Sequence, residues 1–155
     1  GFLYVRRDLM RRLEPPMLDH FAAPWVAPDR YQLRPDARRF ETWENNYATR
    51  LGLGRAVDYA LEVGLDWIEA RCRTLSVRMR NGLKASAGVT VYDLGRDPTA
   101  IVTFSVKNRA AADVQEQLAL AGINVSVSAP SSTLLDASAR GLPPLVRASP
   151  HYYNT

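Results

Sequence analysis

The sequence has little cysteine and lysine and no long apolar run. Cys72 is the single cysteine among 155 residues, so an internal disulfide is excluded and the reducing cytoplasm is the expected location. No apolar run approaches the roughly 18–20 residues that span a bilayer, and the first residues lack the charged-then-apolar pattern of a signal peptide. We therefore expect a cytoplasmic protein with no membrane partner.

Lysine accounts for two of the 20 basic residues, Lys84 and Lys107. The formal net charge of +4 could indicate a nucleic-acid partner. The arginines, however, are interleaved with acidic residues, as around Glu69, which is typical of solvated helix faces. We expect no nucleic-acid partner. The metal-ligand spacings of known motifs are also absent from the sequence, so we expect no metal site.

A non-catalytic domain that binds a protein or nucleic acid through an arginine-rich surface is the alternative hypothesis. Such a surface would need arginines clustered on one face and aromatic residues placed on strands for stacking. The predicted strands carry Val, Thr, Ile and Ser instead, which disfavours this alternative.

The first half of the chain alternates between short elements and a long loop. Residues 1–5 read as a buried strand, and Asp8 as the N-cap of a short helix that Pro15 and Pro16 end. Residues 14–46 are loop-like but aromatic, and a loop of this length is usually functional. Apolar spacing predicts two further helices, one ending at Gly64 and one running from Asp66 to Gly82, with Cys72 in its apolar seam.

The second half changes to alternating strand patterns. We predict strands over 89–92, 100–106, 123–127 and 145–148, and a helix over 110–121. This order predicts an α+β fold, with a small antiparallel or mixed sheet covered by helices on one face.

Three separated blocks carry a family resemblance. The last nine residues run Arg147-Ala-Ser-Pro-His151-Tyr-Tyr-Asn-Thr, the block at 39–42 is Arg-Phe-Glu-Thr, and the chain begins Gly-Phe-Leu-Tyr-Val. In this order and spacing they resemble the class V aminotransferase family, fold-type-I enzymes that use pyridoxal 5'-phosphate (PLP). The resemblance implies an amino-acid substrate, a homodimer and three segments: the end of a large PLP-binding domain with an active-site loop at 1–48, linking helices at 49–82 and a small α+β domain at 83–155.

The resemblance also implies roles for particular residues. Arg147 would hold the substrate's α-carboxylate, because a guanidinium binds a carboxylate through two parallel hydrogen bonds. His151 would either help to position that carboxylate or pack as a structural residue. Thr42, Trp43 or Asn45 would contact the cofactor phosphate; the alternative for Trp43 is that it only anchors the loop. Many relatives have Gly-Thr where this chain has Trp43 and Glu44, and a carboxylate near a phosphate requires an intervening cation.

The family's Schiff-base lysine lies upstream of the Gly-Phe-Leu-Tyr-Val strand, so it would precede Gly1. Lys84 and Lys107 do not match its position. The resemblance therefore implies a C-terminal fragment without catalytic residues of its own, which alone would be inactive.

The reaction subtype is narrowed by a missing thiol. Cysteine desulfurases of the family carry a mobile-loop cysteine upstream of the carboxylate-binding arginine, whereas the corresponding residues 129–136 contain none. Persulfide formation needs a thiol nucleophile, so a persulfide-forming desulfurase is disfavoured. A transaminase, a C–S lyase and an epimerase remain open.

Overall fold

The computed structural model describes residues 2–155. The chain forms two compact units, Gly1–Ala60 and Leu61–Thr155. The three-part division expected from the resemblance stays a prediction. Within the described part of the chain, no helix has the length and apolar character to cross a bilayer.

The first unit contains few regular elements. Helix α1 is a single turn, Arg7–Met10. Strands β1 (Trp25–Ala27) and β2 (Arg30–Tyr31) form an antiparallel hairpin, and a 3-10 helix spans Ala37–Phe40. Most of the predicted 14–46 loop is irregular, and the hairpin and the 3-10 helix within it were not predicted.

Two predictions near the N-terminus are wrong. Residues 2–5 form no strand, and Phe2 and Tyr4 are 81% and 77% exposed; Gly1 lies outside the described residues. A strand requires a neighbour to satisfy its backbone groups, and none pairs with this segment in the described chain. Asp8 does not cap α1 either: Arg6 holds the N-cap position, and the Asp8 carboxylate accepts a 3.0 Å hydrogen bond from Arg6 Nε.

Helices α2 (Tyr47–Val63) and α3 (Leu65–Ala85) agree with the predicted periodicity. Gly64 separates them with a φ of +94°, a conformation that favours glycine. The predicted end of α3 at Gly82 is wrong, because the helix continues to Ala85. One helical glycine costs only about 1 kcal/mol, and the next turn is retained because Leu83 packs against the core.

A four-stranded sheet organises the second unit. Its strands are β3 (Val89–Val91), β4 (Val102–Val106), β5 (Ser126–Ser128) and β6 (Leu145–Ala148), in the order β3-β4-β6-β5. All three pairings are antiparallel. The predicted α+β class, with a small sheet covered by helices, is therefore confirmed. Only β6 has the predicted bounds; β5 begins three residues later than expected.

Most apolar side chains of the sheet lie on one face, whereas Leu145 of β6, which is buried, lies on the other. Phe104 and Val146 are opposite each other on β4 and β6 and form the core with Ala111 and Val114 of α4 (Ala111–Leu120). Met79 and Leu83 of α3 pack against the same cluster. Because successive side chains of a strand point to opposite faces, Thr103 and Arg147 lie on the other face, hereafter the open face.

Two elements between β5 and β6 were not predicted. A 3-10 helix spans Pro130–Thr133 and helix α5 spans Leu134–Arg140. Gly141, with a φ of +60°, ends α5. This segment, which the resemblance aligned with a loop of the family, is largely helical. Its sequence Ser-Ser-Thr-Leu-Leu-Asp has too few apolar positions for the 3.6-residue period to be recognised.

Candidate functional site

Arg147 occupies the centre of the open face. It is the Cα partner of Thr103 on β4 and of Ser126 on β5. Its neighbours along β6, Val146 and Ala148, are buried, whereas Arg147 itself is exposed. The alternation that buries Val146 therefore places the guanidinium among hydroxyl-bearing side chains.

The guanidinium of Arg147 forms no hydrogen bond or ion pair with any residue that the structure describes. All its N–H donors are therefore available to an external acceptor. A guanidinium carries five donors in a planar fork that matches a carboxylate. The position and the free donors agree with the carboxylate-binding role implied by the sequence, which stays a prediction.

His151 lies in a tight turn after β6. Its backbone N–H donates to Asn154 Oδ1 at 2.7 Å, and its carbonyl accepts from the Asn154 N–H at 2.9 Å. The imidazole lies against the rings of Tyr152 and Tyr153, at centroid distances of 4.5 and 4.8 Å. Within residues 2–155 no hydrogen bond joins His151 to Arg147, so the structure does not bring these two predicted residues into direct contact.

A buried ion pair at the edge of the same sheet was not predicted from the sequence. Arg80 of α3 is 6% exposed, and its Nε donates to Asp93 Oδ2 at 2.7 Å. Nη2 donates to the carbonyls of Thr99 at 2.5 Å and Ile101 at 2.8 Å. Most arginines were expected on solvated helix faces, and Arg80 is an exception. Its position four residues after Ser76, on the buried side of α3, is the signal that could have indicated this.

Asp93 joins this ion pair to the open face. Its Oδ1 accepts from the Thr103 N–H at 2.8 Å and from Thr103 Oγ1 at 2.7 Å. Thr103 is in turn the strand partner of Arg147. Both oxygens of Asp93 are therefore occupied, and one bonded residue separates this carboxylate from Arg147.

The predicted phosphate-contacting residues lie together in the first unit. Thr42, Trp43 and Asn45 line one cavity of about 530 Å³. Thr42 Oγ1 donates to the Glu44 carbonyl at 3.1 Å, and Asn45 Nδ2 donates to the Trp43 carbonyl at 3.3 Å. The structure thus brings these three residues to one wall, and their role stays a prediction.

Asp19 determines the conformation of that wall. Its Oδ2 accepts from the Trp43 N–H at 2.5 Å, and its Oδ1 accepts from the Phe21 and Ala22 N–H groups at 2.9 and 3.0 Å. The Trp43 hydrogen bond foremost, then that of Ala22, lowers the pKa of the Asp19 carboxyl, because bonds to the charged form favour it. No periodic pattern in the sequence marks Asp19, although an aspartate followed by two loop amides is a known turn signal.

Two arginines supply positive charge to the same cavity. Arg38 and Arg50 both line it, and Arg50 Nη1 donates to Asn45 Oδ1 at 3.3 Å. The second hydrogen of the Asn45 amide and these two cations fit the phosphate of PLP, whereas the Thr42 hydroxyl would first have to release the Glu44 carbonyl. The Trp43 N–H does not fit the phosphate, because Asp19 already occupies it. Glu41 lines the same cavity, and Arg38 and Arg50 are the cations that a phosphate beside its carboxylate requires.

Cys72 does not resemble a catalytic thiol. It is a half-buried free cysteine on α3, as predicted. The segment between β5 and β6 carries no cysteine. No cluster of three metal-binding side chains occurs among residues 2–155.

Comparison with known proteins gives the same family over the whole length. The family model for aminotransferase class-V matches residues 1–155. A probable cysteine desulfurase of Methanothermobacter thermautotrophicus is 31% identical and is aligned over all of this chain and 40% of its own length. One from Xylella fastidiosa (strain Temecula1) is 27% identical, over all of this chain and 37% of its own length.

Solved structures share the fold. The apo structure of cysteine desulfurase from Thermococcus onnurineus NA1 has a TM-score of 0.81 and 28% identity, and the match covers 98% of this chain and 38% of that one. A complex of the cystine C–S lyase C-DES with cysteine persulfide has a TM-score of 0.75 at 17% identity, over 98% of this chain and 38% of its own. At that identity the likeness shows the fold alone.

The chain belongs to the class V aminotransferase family, whose members are PLP-dependent enzymes of fold type I. It spans 37–40% of the length of these relatives. Both sequence relatives are named as probable cysteine desulfurases. The sequence disfavours the persulfide-forming version of that activity.

Proposed function

We propose that the full-length protein is a PLP-dependent enzyme that acts on an amino acid, and that Arg147 binds the substrate's α-carboxylate. The observation that carries this proposal is the free guanidinium of Arg147 on the open face, between Thr103 and Ser126. An unpaired cation on a sheet whose other face is a packed core is suited to an external anion. The cytoplasmic homodimer implied by the resemblance belongs to the same proposal.

The cofactor phosphate would be held by the Asn45 amide, with Arg38 and Arg50 supplying charge. The Thr42 hydroxyl would contribute once it releases the Glu44 carbonyl. When bound, PLP supplies the electron sink for bond cleavage at the amino-bearing carbon. Arg147 would orient the substrate by its carboxylate. A bidentate contact restricts both position and rotation, which a single point charge does not.

The relatives' names favour C–S chemistry on cysteine or a derivative as the first reaction to test, with transamination and epimerisation as the alternatives. Because the segment between β5 and β6 has no cysteine, it provides no thiol that could accept sulfur and become a protein persulfide. We therefore propose that the enzyme cleaves the C–S bond and releases sulfide to solution.

Product analysis tests the reaction type. With L-cysteine, we expect the full-length enzyme to form pyruvate, ammonia and sulfide in equal amounts, because β-elimination breaks the C–S bond and leaves an enamine that hydrolyses. Chromatography and a sulfide assay measure these products. Formation of alanine together with a persulfide on the protein, seen by mass spectrometry, would contradict the proposal.

Substitution of Arg147 tests the carboxylate site. Hydrogen bonds to charged groups contribute about 1.5–3 kcal/mol each, and each ~1.4 kcal/mol is tenfold in rate. Arg147→Ala should therefore lower kcat/KM of the full-length enzyme by one to two decades or more, with PLP content unchanged. Arg147→Lys should rescue this partly, since an ammonium has no planar fork.

The exposed Arg96, in the turn between β3 and β4, offers a matched control. Arg96→Ala should leave kcat/KM within about twofold, as is usual for a surface substitution. Wild-type efficiency in Arg147→Ala toward every amino acid that the parent converts would reject the proposal.

A further inference from the structure

The open face holds a free arginine close to a carboxylate that could neutralise it. Directly opposed residues of antiparallel strands have Cα atoms about 4.5–5.5 Å apart, and Thr103 and Arg147 are such a pair. Asp93 Oδ1 lies 2.8 Å from the Thr103 nitrogen. The Asp93 carboxylate is therefore within the reach of a long, flexible arginine side chain at position 147.

Arg147 nonetheless does not pair with Asp93, which already accepts three hydrogen bonds at its roughly four lone-pair sites. Arg80 Nε occupies Oδ2, and the backbone and hydroxyl of Thr103 occupy Oδ1. The Arg80 and Asp93 side chains are 8% and 11% exposed. Charges in so dry a place interact strongly and exchange partners only at high cost.

Arg80 is held as firmly as its partner. Its Nη2 donates to the Thr99 and Ile101 carbonyls, which belong to the connection between β3 and β4. Its Nη1 is buried with no hydrogen-bond partner in the described part of the chain. A buried guanidinium with two unsatisfied N–H donors and three fixed ones is costly to keep unless its charge is needed there.

We propose that Arg80 is a positioning residue that withholds Asp93 from Arg147, so that Arg147 stays free for the carboxylate of the substrate. The inference rests on the proposed role of Arg147. It assigns to the buried ion pair a function in substrate affinity as well as in stability. Without Arg80, Asp93 becomes an internal competitor for the site.

The test compares variants that break the same ion pair from opposite sides, in the full-length, PLP-loaded enzyme. The probe is L-alanine, followed by the change in cofactor absorption, and ethylamine is the carboxylate-free comparator. Arg80→Leu should weaken L-alanine binding by about tenfold, the value of one charge-assisted hydrogen bond, and leave ethylamine binding unchanged. Asp93→Asn breaks the pair equally but leaves no competing anion, so L-alanine affinity should stay within about twofold.

The double variant Arg80→Leu/Asp93→Leu provides the rescue. Replacing both partners of a buried pair by apolar residues is often neutral for stability, and here it should also restore the affinity for L-alanine. A merely structural role predicts equal losses in both single variants and for both ligands. That result, or a double variant as weak as Arg80→Leu, would overturn the proposal.

If Arg80→Leu does not fold, Thr103→Val tests the same arrangement, since it removes the hydroxyl that occupies Asp93 Oδ1. The affinity for L-alanine should fall about two- to threefold, which corresponds to the energy of one cross-strand contact. In the double variant Thr103→Val/Asp93→Asn this loss of affinity should disappear. No loss, or a loss that Asp93→Asn leaves in place, would overturn the inference. If Arg147→Ala binds L-alanine like the wild type, the proposed function fails. If Arg147→Ala binds L-alanine more weakly, but the Arg80 or Thr103 variants show the losses expected of a purely structural role, only this inference fails.

Discussion

The first sixty residues and the remainder of the chain keep their shape by different means. In Gly1–Ala60 the buried apolar residues are Ala22 and Ala23, whereas Leu61–Thr155 buries Val102, Phe104 and Val146 among others. The first unit is instead held by side chains bound to loop backbone: Asp19 accepts from three amides, and Arg34 Nε donates to the Phe21 carbonyl.

This difference decides where polar groups can serve a ligand. In the second unit the apolar core supports the sheet, so that Arg147 can remain unpaired on the open face. In the first unit the polar groups that shape the candidate phosphate wall also hold the loop, and the Trp43 N–H is consumed by Asp19. The proposed carboxylate site therefore lies in the unit with the larger apolar core.

The largest effect on this comparison is expected from the buried ion pair of the second unit. Asp93→Asn leaves Arg80 as an unpaired buried charge, which costs about 3–5 kcal/mol. Urea unfolding of the full-length enzyme, with hydrogen exchange followed at β4, measures the loss.

Asp97→Asn is the matched control. Asp97 pairs with Arg73 at 3.3 Å in the same β3–β4 connection, but its side chain is 72% exposed, so the expected cost is about 0–1 kcal/mol. Equal destabilisation by both substitutions would show that burial does not distinguish the two pairs.

A smaller, pH-dependent effect is expected in the first unit. Because the folded pKa of Asp19 is lowered, its stabilising contribution is present above the unfolded pKa of about 3.9 and is lost as the pH falls through the folded value. Protection of the Trp43 amide from hydrogen exchange should therefore decline on acidification in the wild type. Asp19→Asn should show low protection throughout and little pH dependence.

Asp29→Asn serves as the control, since the Asp29 carboxylate makes no hydrogen bond within the described residues. Its Trp43 protection should follow the wild-type profile. A wild-type profile for Asp19→Asn would contradict the role of Asp19 in the first unit.

The same contrast explains how much could be predicted. Apolar periodicity predicted helices α2, α3 and α4 and strand β6, because in each element the apolar residues recur at regular intervals along the sequence. The predicted strand at 2–5 failed because strand formation depends on neighbours rather than on its own apolar residues. Helix α5 was missed because its short sequence carries little periodic signal.

For the candidate site, local motifs predicted Arg147 and residues Thr42, Trp43 and Asn45. They did not predict the contributions of Asp19, Arg80 and Asp93. Asp19 acts on an amide 24 residues away, and Arg80 pairs across 13 residues. Such contacts depend on the tertiary structure, so they produce no regular spacing in the sequence from which they could be predicted.

The central claim is that Arg147 binds a substrate carboxylate, and the NMR signal of its own guanidinium tests this most directly. In the full-length, PLP-loaded enzyme with labelled arginine, the Nε–Hε signal assigned through Arg147→Lys should shift saturably when L-alanine is added. It should not shift with ethylamine, which lacks the carboxylate. Saturation of the enzyme with L-alanine while the Arg147 signal stays in place would contradict the account.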